Sequence, residues 1–309
     1  MSDGVLLVNL GTPEAPEAPA VRRYLAEFLS DPRVVELPRW IWLPILYGVI
    51  LNLRPERSAK KYASIWTPEG SPLGVHTAKQ ARLLAAATRV PIEYAMRYGE
   101  PRIADGLARL RAAGARRVVC LPLYPQYAKS TAESVRDVLE PGIPMIEQFH
   151  DHPAYIAALA ASVRRQWAEH GRGDLLVMSF HGIPKRSVER GDPYEQHCRE
   201  TARLLAAVLE LGASQWKLTF QSRFGPAQWL QPYTQDTLVD LARGGLARVD
   251  VVCPGFVSDC LETLEEVGIE VRDAFLQAGG RQYRALHCLN EEPEWIAALA
   301  EITAIGRSA

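Results

Sequence analysis

Two short stretches of this chain carry residues that could move protons or hold a metal. The first, Ser179-Phe180-His181-Gly182-Ile183-Pro184, puts one imidazole at the end of an apolar run. A lone histidine is more often structural than functional. This one closes a run that reads as a strand, beside a glycine that lets backbone and ligand approach closely. The second, Ser258-Asp259-Cys260-Leu261-Glu262-Thr263-Leu264-Glu265-Glu266, reads as a helix start capped by Ser258 or Asp259. Asp259, Glu262 and Glu266 then share one helix face at i, i+3 and i+7. Such rows usually face solvent, but this one begins directly after a predicted buried strand. A nitrogen with carboxylates suits a borderline divalent metal such as Fe(II). Imidazole is also the side chain suited to accepting protons near neutral pH.

Aromatic residues recur at other strand ends. Leu123-Tyr124-Pro125-Gln126-Tyr127, followed by Ser130-Thr131, and the stretch Tyr94-Ala95-Met96-Arg97-Tyr98 offer flat apolar faces with polar tips. Packing between domains has an equal claim on them. Gln221-Ser222-Arg223-Phe224-Gly225-Pro226 with Trp229 could wall a pocket, or Trp229 could plug a core. The segment 40–51, WIWLPILYGVIL, is apolar yet too short for the ~20 residues of a membrane-spanning helix. Its two Trp, its Tyr and its basic flanks (Arg33, Arg39, Arg54, Arg57, Lys60, Lys61) favour an apolar lip at 37–53 over a buried helix.

Something must position these residues, and the chain alternates β-rich runs with helical stretches. Val5-Leu6-Leu7-Val8, Ile92-Glu93-Tyr94-Ala95, Arg117-Val118-Val119-Cys120 and Pro144-Met145-Ile146 fall in the first half. Leu175-Leu176-Val177-Met178, Trp216 to Phe220, Val249 to Cys253 and Tyr283-Arg284-Ala285-Leu286 fall in the second. Ala/Leu/Arg-rich helical stretches such as 77–88, 102–113, 154–169, 195–211 and 291–304 separate most of them. That alternation predicts an α/β fold of parallel sheets covered by helices. The echo of ARRVVCLP at Ala115 in ARVDVVCP at Ala247 predicts two similar domains, 1–150 and 151–309. Open α/β sheets bind ligands beyond the carboxyl ends of their strands. That rule would gather Leu10, Tyr98, Tyr124, His181, Ser222 and the 254–262 segment around a cleft between the domains. Neither GxGxxG nor GxxxxGK[ST] occurs in the glycine turns, which argues against a nucleotide.

Composition limits the remaining classes. The 309 residues are 48% hydrophobic and 23% charged, with a formal net charge of -1, so nothing global points to nucleic acid. Five cysteines without a CxxC pair suit reduced thiols in a cytoplasmic protein. The start, MSDGVLLVNLG, does not read as a signal peptide.

Five strings now carry a resemblance. SFHGIP followed by RGDPY looks like the signature of the ferrochelatase family. NLGTP, YPQYAKST, QSRFGPAQWL and SDCLETLEE resemble further family motifs in the same order. The likeness covers almost the whole chain. It implies two Rossmann-like domains, each with a four-stranded parallel β-sheet flanked by helices. It implies insertion of Fe(II) into protoporphyrin IX with release of two protons, the terminal step of haem synthesis, with coproporphyrin III as the runner-up macrocycle. By resemblance His181 is the active-site histidine and Glu262 its acidic partner, with Glu266 beside them on the metal or proton path. Arg54, Arg57, Ser71 and Ser222 resemble residues that hold porphyrin propionates, while Tyr62 and Trp229 resemble pocket walls. Tyr124 and Leu10 join the porphyrin-binding set. Some relatives have Tyr or Met where Leu10 stands, and Leu10 cannot ligate iron. Some have His where Cys260 stands, and Cys260 reads as a packed thiol.

The expected cofactor list is therefore short. Iron enters as substrate, nothing is tightly bound, and the cysteines lack iron–sulfur cluster spacing. Expected partners are porphyrin and ferrous iron, with no nucleic acid. Peripheral contact with the inner face of the cytoplasmic membrane through 40–51, and transient contact with other haem-pathway proteins, complete the expectation. A cobalt chelatase on a related fold and a non-catalytic porphyrin carrier are the competing readings; a carrier has no need of an acidic row opposite its histidine.

Overall fold

The run at 5–8 is apolar on both faces, and all four side chains are fully buried in the computed structural model, which describes residues 3–304 except Phe224 and Pro226. Burial on both faces is what the central strand of a helix-covered parallel sheet requires. That strand, β1 (Asp3–Gly11), lies between β2 (Ile92–Tyr98) and β3 (Arg117–Pro122), and both pairings are parallel. Gly11 has φ +119, and a Cβ there would run into the carbonyl of Tyr98, its partner on β2. In the second sheet β4 (Leu175–His181) lies between β5 (Trp216–Gln221) and β6 (Arg248–Val252), with β7 (Gln282–Ala285) outside β6. These pairings are parallel too.

The chain divides into two units. One comprises Met1–Tyr124, Ala128–Gln148 and Thr303–Ala309; the other comprises Pro125–Tyr127 and Phe149–Ile302. The first has a core that includes Leu6, Val8, Ala95, Leu107, Leu110 and Cys120. The second has one that includes Val177, Leu238, Val249, Val251, Val271 and Phe275. In each sheet the strand order reverses at the central strand, so the carboxyl ends of β1 and β4 are the switch points where α/β sheets leave room for ligands. Leu10 and His181 stand at those ends.

The first sheet has three strands where four were expected. The run Pro144-Met145-Ile146 makes only a parallel bridge, Met145 opposite Cys120. Two hydrogen bonds serve it, Cys120 N–H to the Pro144 carbonyl and Ile146 N–H to the Cys120 carbonyl. Pro144 has no N–H to extend the ladder, and the run is only three residues long.

The lip also differs from a uniformly exposed apolar segment. A helix Arg39–Ile45 runs through a π-helical turn, Leu46–Ile50, into a helix Leu51–Ile65. Trp42, Leu46 and Leu51 are buried, with the Trp42 indole N–H donating to the Leu29 carbonyl. Trp40 (79% exposed), Tyr47, Val49 and Leu53 (74%) form the uncovered side. Among the described residues no helix is long and apolar enough to cross a membrane.

Candidate functional site

His181 is the last residue of β4 and pairs in register with Gln221, the last of β5. Its Nδ1 lies 2.6 Å from the carbonyl oxygen of Gly182. A carbonyl only accepts, so Nδ1 carries a proton and Nε2 is the ring nitrogen not engaged by this bond. The Trp229 and Phe256 rings stand 6.5 and 6.4 Å from the imidazole, centroid to centroid. Gly182 permits this crowding. A Cβ there would lie 2.9 Å from the Gln221 carbonyl and 3.3 Å from the Trp229 ring. Trp229 is fixed by a bridge to Pro184 and by Leu230 N–H donating to the Ile183 carbonyl. Phe224 and Pro226, in the same loop, lie outside the described residues.

The acidic side sits on a π-helical segment, Glu262–Val271, where hydrogen bonds span five residues rather than four. Glu266 Oε1 accepts from the Ser222 N–H at 2.7 Å and Oε2 from the Ser222 hydroxyl at 2.5 Å. Burial raises the Glu266 carboxyl above its usual range. The Ser222 hydrogen bonds and the charge of His181 pull it back, and the charge of Glu262 adds to the rise. His181 and Glu262 thus both act electrostatically on Glu266, all three within the second unit.

One expectation changes here. Asp259 does not share the acidic face. It precedes the helix, and its buried carboxylate accepts from Thr263 and Asn290 side chains and from the Cys288 N–H. Ser222 directs both its N–H and its hydroxyl to Glu266. Gln221 entered the sequence reading only within the Gln221-to-Pro226 stretch and Phe256 only within 254–262, and Thr234 was not singled out. A glutamine, a phenylalanine and a threonine carry no spacing signal of their own.

The expected porphyrin contacts of the first unit fall on two helices and two strand ends. Leu10 lies at the end of β1, partly buried, its N–H held by the Asn9 side chain. Ser71, buried, precedes the helix Pro72–Thr88 and accepts from the Thr12 hydroxyl at 2.7 Å. Arg54, Arg57 and Tyr62 lie on Leu51–Ile65; Arg57 is exposed, Arg54 partly buried, and Tyr62 is buried edge-on to Trp66. Tyr124 packs against the core of its unit with its hydroxyl buried.

Among the described residues, no group of three or more His, Cys, Asp or Glu side chains is placed to hold a metal ion. The five cysteines are unbridged and buried. Burial pushes the Cys260 thiol well up, and Cys260 packs as expected.

Comparison with known proteins adds the lineage. The pattern of the Ferrochelatase family matches residues 2–305. The ferrochelatase of Aromatoleum aromaticum is 60% identical over 97% of this chain and 86% of its own length. That of Azoarcus sp. strain BH72 is 59% identical over 96% and 85%. That of Polaromonas sp. strain JS666 is 57% identical over 97% and 86%. Among solved structures, SirB from Bacillus subtilis with Fe3+ has a similar fold (TM-score 0.55, 15% identity, 98% of this chain and 95% of that one).

Proposed function

This chain belongs to the ferrochelatase family and is a metal chelatase of haem synthesis, and from that premise we propose protoporphyrin IX as its macrocycle, with His181 and Glu262 as the groups that act during metal insertion. The observation that carries the reading is the His181–Gly182 hydrogen bond. It fixes Nδ1 as a donor and leaves Nε2 as the ring nitrogen for chemistry at a strand-end switch point, beside two aromatic rings and in electrostatic contact with Glu266.

Metallation exchanges two pyrrole N–H protons for Fe(II). A planar macrocycle shields its nitrogens, so binding must bend the ring and expose their lone pairs. His181 Nε2 takes a pyrrole proton. Glu262 and Glu266 replace water on Fe(II) and pass protons outward. Contact of His181 Nε2 with the iron is a second reading, favoured by the pairing of imidazole with carboxylates.

Leu10, Arg54, Arg57, Tyr62, Ser71, Tyr124, Ser222 and Trp229 are the porphyrin contacts in this reading. Arginine suits bidentate carboxylate binding. Protoporphyrin, with two carboxylates and two vinyl groups, is favoured over the four-carboxylate coproporphyrin by the apolar side at Trp40, Tyr47, Val49 and Leu53 and by the non-ligating Leu10. The same exposed side supports peripheral contact with the inner face of the cytoplasmic membrane. Burial of all five cysteines supports catalysis without an iron–sulfur cluster. Anaerobic Fe(II) insertion into each porphyrin in turn tests the assignment. A higher kcat/KM for protoporphyrin IX is expected, and a higher one for coproporphyrin III would overturn the substrate.

A further inference from the structure

The His181–Gly182 peptide and the acid-bearing helix meet at Gln221. Three hydrogen bonds run from one to the other. The imidazole Nδ1–H donates to the Gly182 carbonyl at 2.6 Å. The Gly182 N–H donates to the Gln221 carbonyl at 2.7 Å. The Gln221 side-chain Nε2–H donates to the Glu262 carbonyl at 3.1 Å. Gln221 is itself buried. Its Oε1 accepts from the Ser179 hydroxyl at 2.6 Å and faces the Cys253 thiol at 3.6 Å. The Ser179 hydroxyl also lies 2.7 Å from that of Thr234, and both residues are buried. The amide is therefore locked in one orientation, acceptor toward two donors and donor toward a carbonyl.

We infer that Gln221 is a positioning residue for metallation, whose side-chain amide sets the distance between the His181 imidazole and the first turn of the helix carrying Glu262 and Glu266. The inference rests on the roles given above to His181 and Glu262. Neither a hydrocarbon nor a carboxylate can replace the amide. Methionine fills its volume but holds neither end. Glutamate keeps the acceptor facing Ser179 and loses the donor facing Glu262. In both cases the first turn of the helix loses its Gln221 tie to β5, leaving the Ser222–Glu266 hydrogen bonds one turn further on. An error of about an ångström in such a site costs rate rather than ground-state affinity, on the order of tenfold to a hundredfold.

The test compares wild type, Gln221→Met, Gln221→Glu, Glu262→Gln and the Gln221→Met/Glu262→Gln double variant. Zn(II) insertion is followed by zinc-porphyrin fluorescence, with thermal midpoints for every protein. The expected result is a fall in kcat and a rise in the metal KM for Gln221→Met, on the order of tenfold together, with the porphyrin KM within about twofold. In the Glu262→Gln background Gln221→Met should add little, because both changes act on one step. Unchanged kcat and metal KM in Gln221→Met, or fully multiplicative losses in the double variant, would overturn the inference. So would loss of the fold in both single Gln221 variants, which would make the residue part of the core alone. Should Gln221→Met alone fail to fold, Gln221→Glu decides by the same split. Normal turnover in Glu262→Gln would instead remove the site assignment on which the inference stands, whatever Gln221 does.

Discussion

Ser222 gives both of its donors, the backbone N–H and the hydroxyl, to the carboxylate of Glu266, and does so from a left-handed backbone conformation at φ +66. A non-glycine residue in that region costs about 1 kcal/mol or more. The cost is offset where the conformation aims a donor at a buried carboxylate.

The pair makes a prediction that separates hydroxyl from backbone. Ser222→Gly and Ser222→Ala both remove the hydroxyl, but only glycine relieves the left-handed strain. Turnover should fall alike in the two variants. The glycine variant should melt above the alanine variant, by a margin matching ~1 kcal/mol. Full turnover in Ser222→Gly would show that the hydroxyl does not hold Glu266 for the reaction.

The apolar helix at 39–65 separates membrane contact from core packing. Trp40 and Leu53 are exposed, whereas the Leu46 side chain is fully buried. Trp40→Asp with Leu53→Asp should reduce binding to anionic lipid vesicles and leave the melting temperature unchanged. Leu46→Asp should unfold the protein, since an unpaired charge in that position costs several kcal/mol. Vesicle binding by the wild type should weaken with salt. Sedimentation with vesicles at two salt concentrations checks both statements, and undiminished binding by the double variant would remove the lip from the membrane account.

His150 and His197 stack face to face in the second unit, 3.8 Å between centroids and 8° from parallel. His197 Nδ1 accepts the Tyr127 N–H at 3.3 Å, and Asp151 and Glu200 are the acidic groups that act on His150. Burial lowers both imidazoles, His197 to about 4. At His197 the unfolded chain takes up its proton from about pH 6.5 downward, while the folded chain resists until near pH 4. Folding therefore loses stability as pH falls through that window. His197→Gln keeps an acceptor for the Tyr127 N–H and removes the titration. Its melting temperature should fall less steeply from pH 7 to pH 5 than that of the wild type. Parallel pH profiles would contradict the stacked pair as an acid-sensitive element.

How much of this was legible beforehand follows from which forces act locally. The strands announced themselves, because a run such as Val5-Leu6-Leu7-Val8 has no polar face to show to water. His181 and Glu266 were legible because a titratable side chain at a strand end, or at the start of a helix that follows one, stands out. Gln221 stood in a candidate stretch, but its role was not legible, since an amide acquires it only from Ser179, Cys253 and Glu262, distant in sequence and brought together by the fold. The π-helical winding of 262–271 was equally hidden. Its residues favour helix in general, and nothing in their order distinguishes five-residue from four-residue hydrogen bonding. Asp259 went astray for a related reason. Its spacing matched an acidic row, but Asn290, far along the chain, turned it inward.

The most direct test of the account is the rate of metal insertion by His181→Ala beside its porphyrin affinity. In the proposed reading, apolar walls and propionate contacts carry ground-state binding, while the imidazole acts only as the metal enters. Initial rates of anaerobic Fe(II) insertion, with protoporphyrin affinity measured by fluorescence quenching, should show turnover nearly abolished and affinity within a few-fold of the wild type. Near-normal turnover in His181→Ala would contradict the assignment of His181 to metallation.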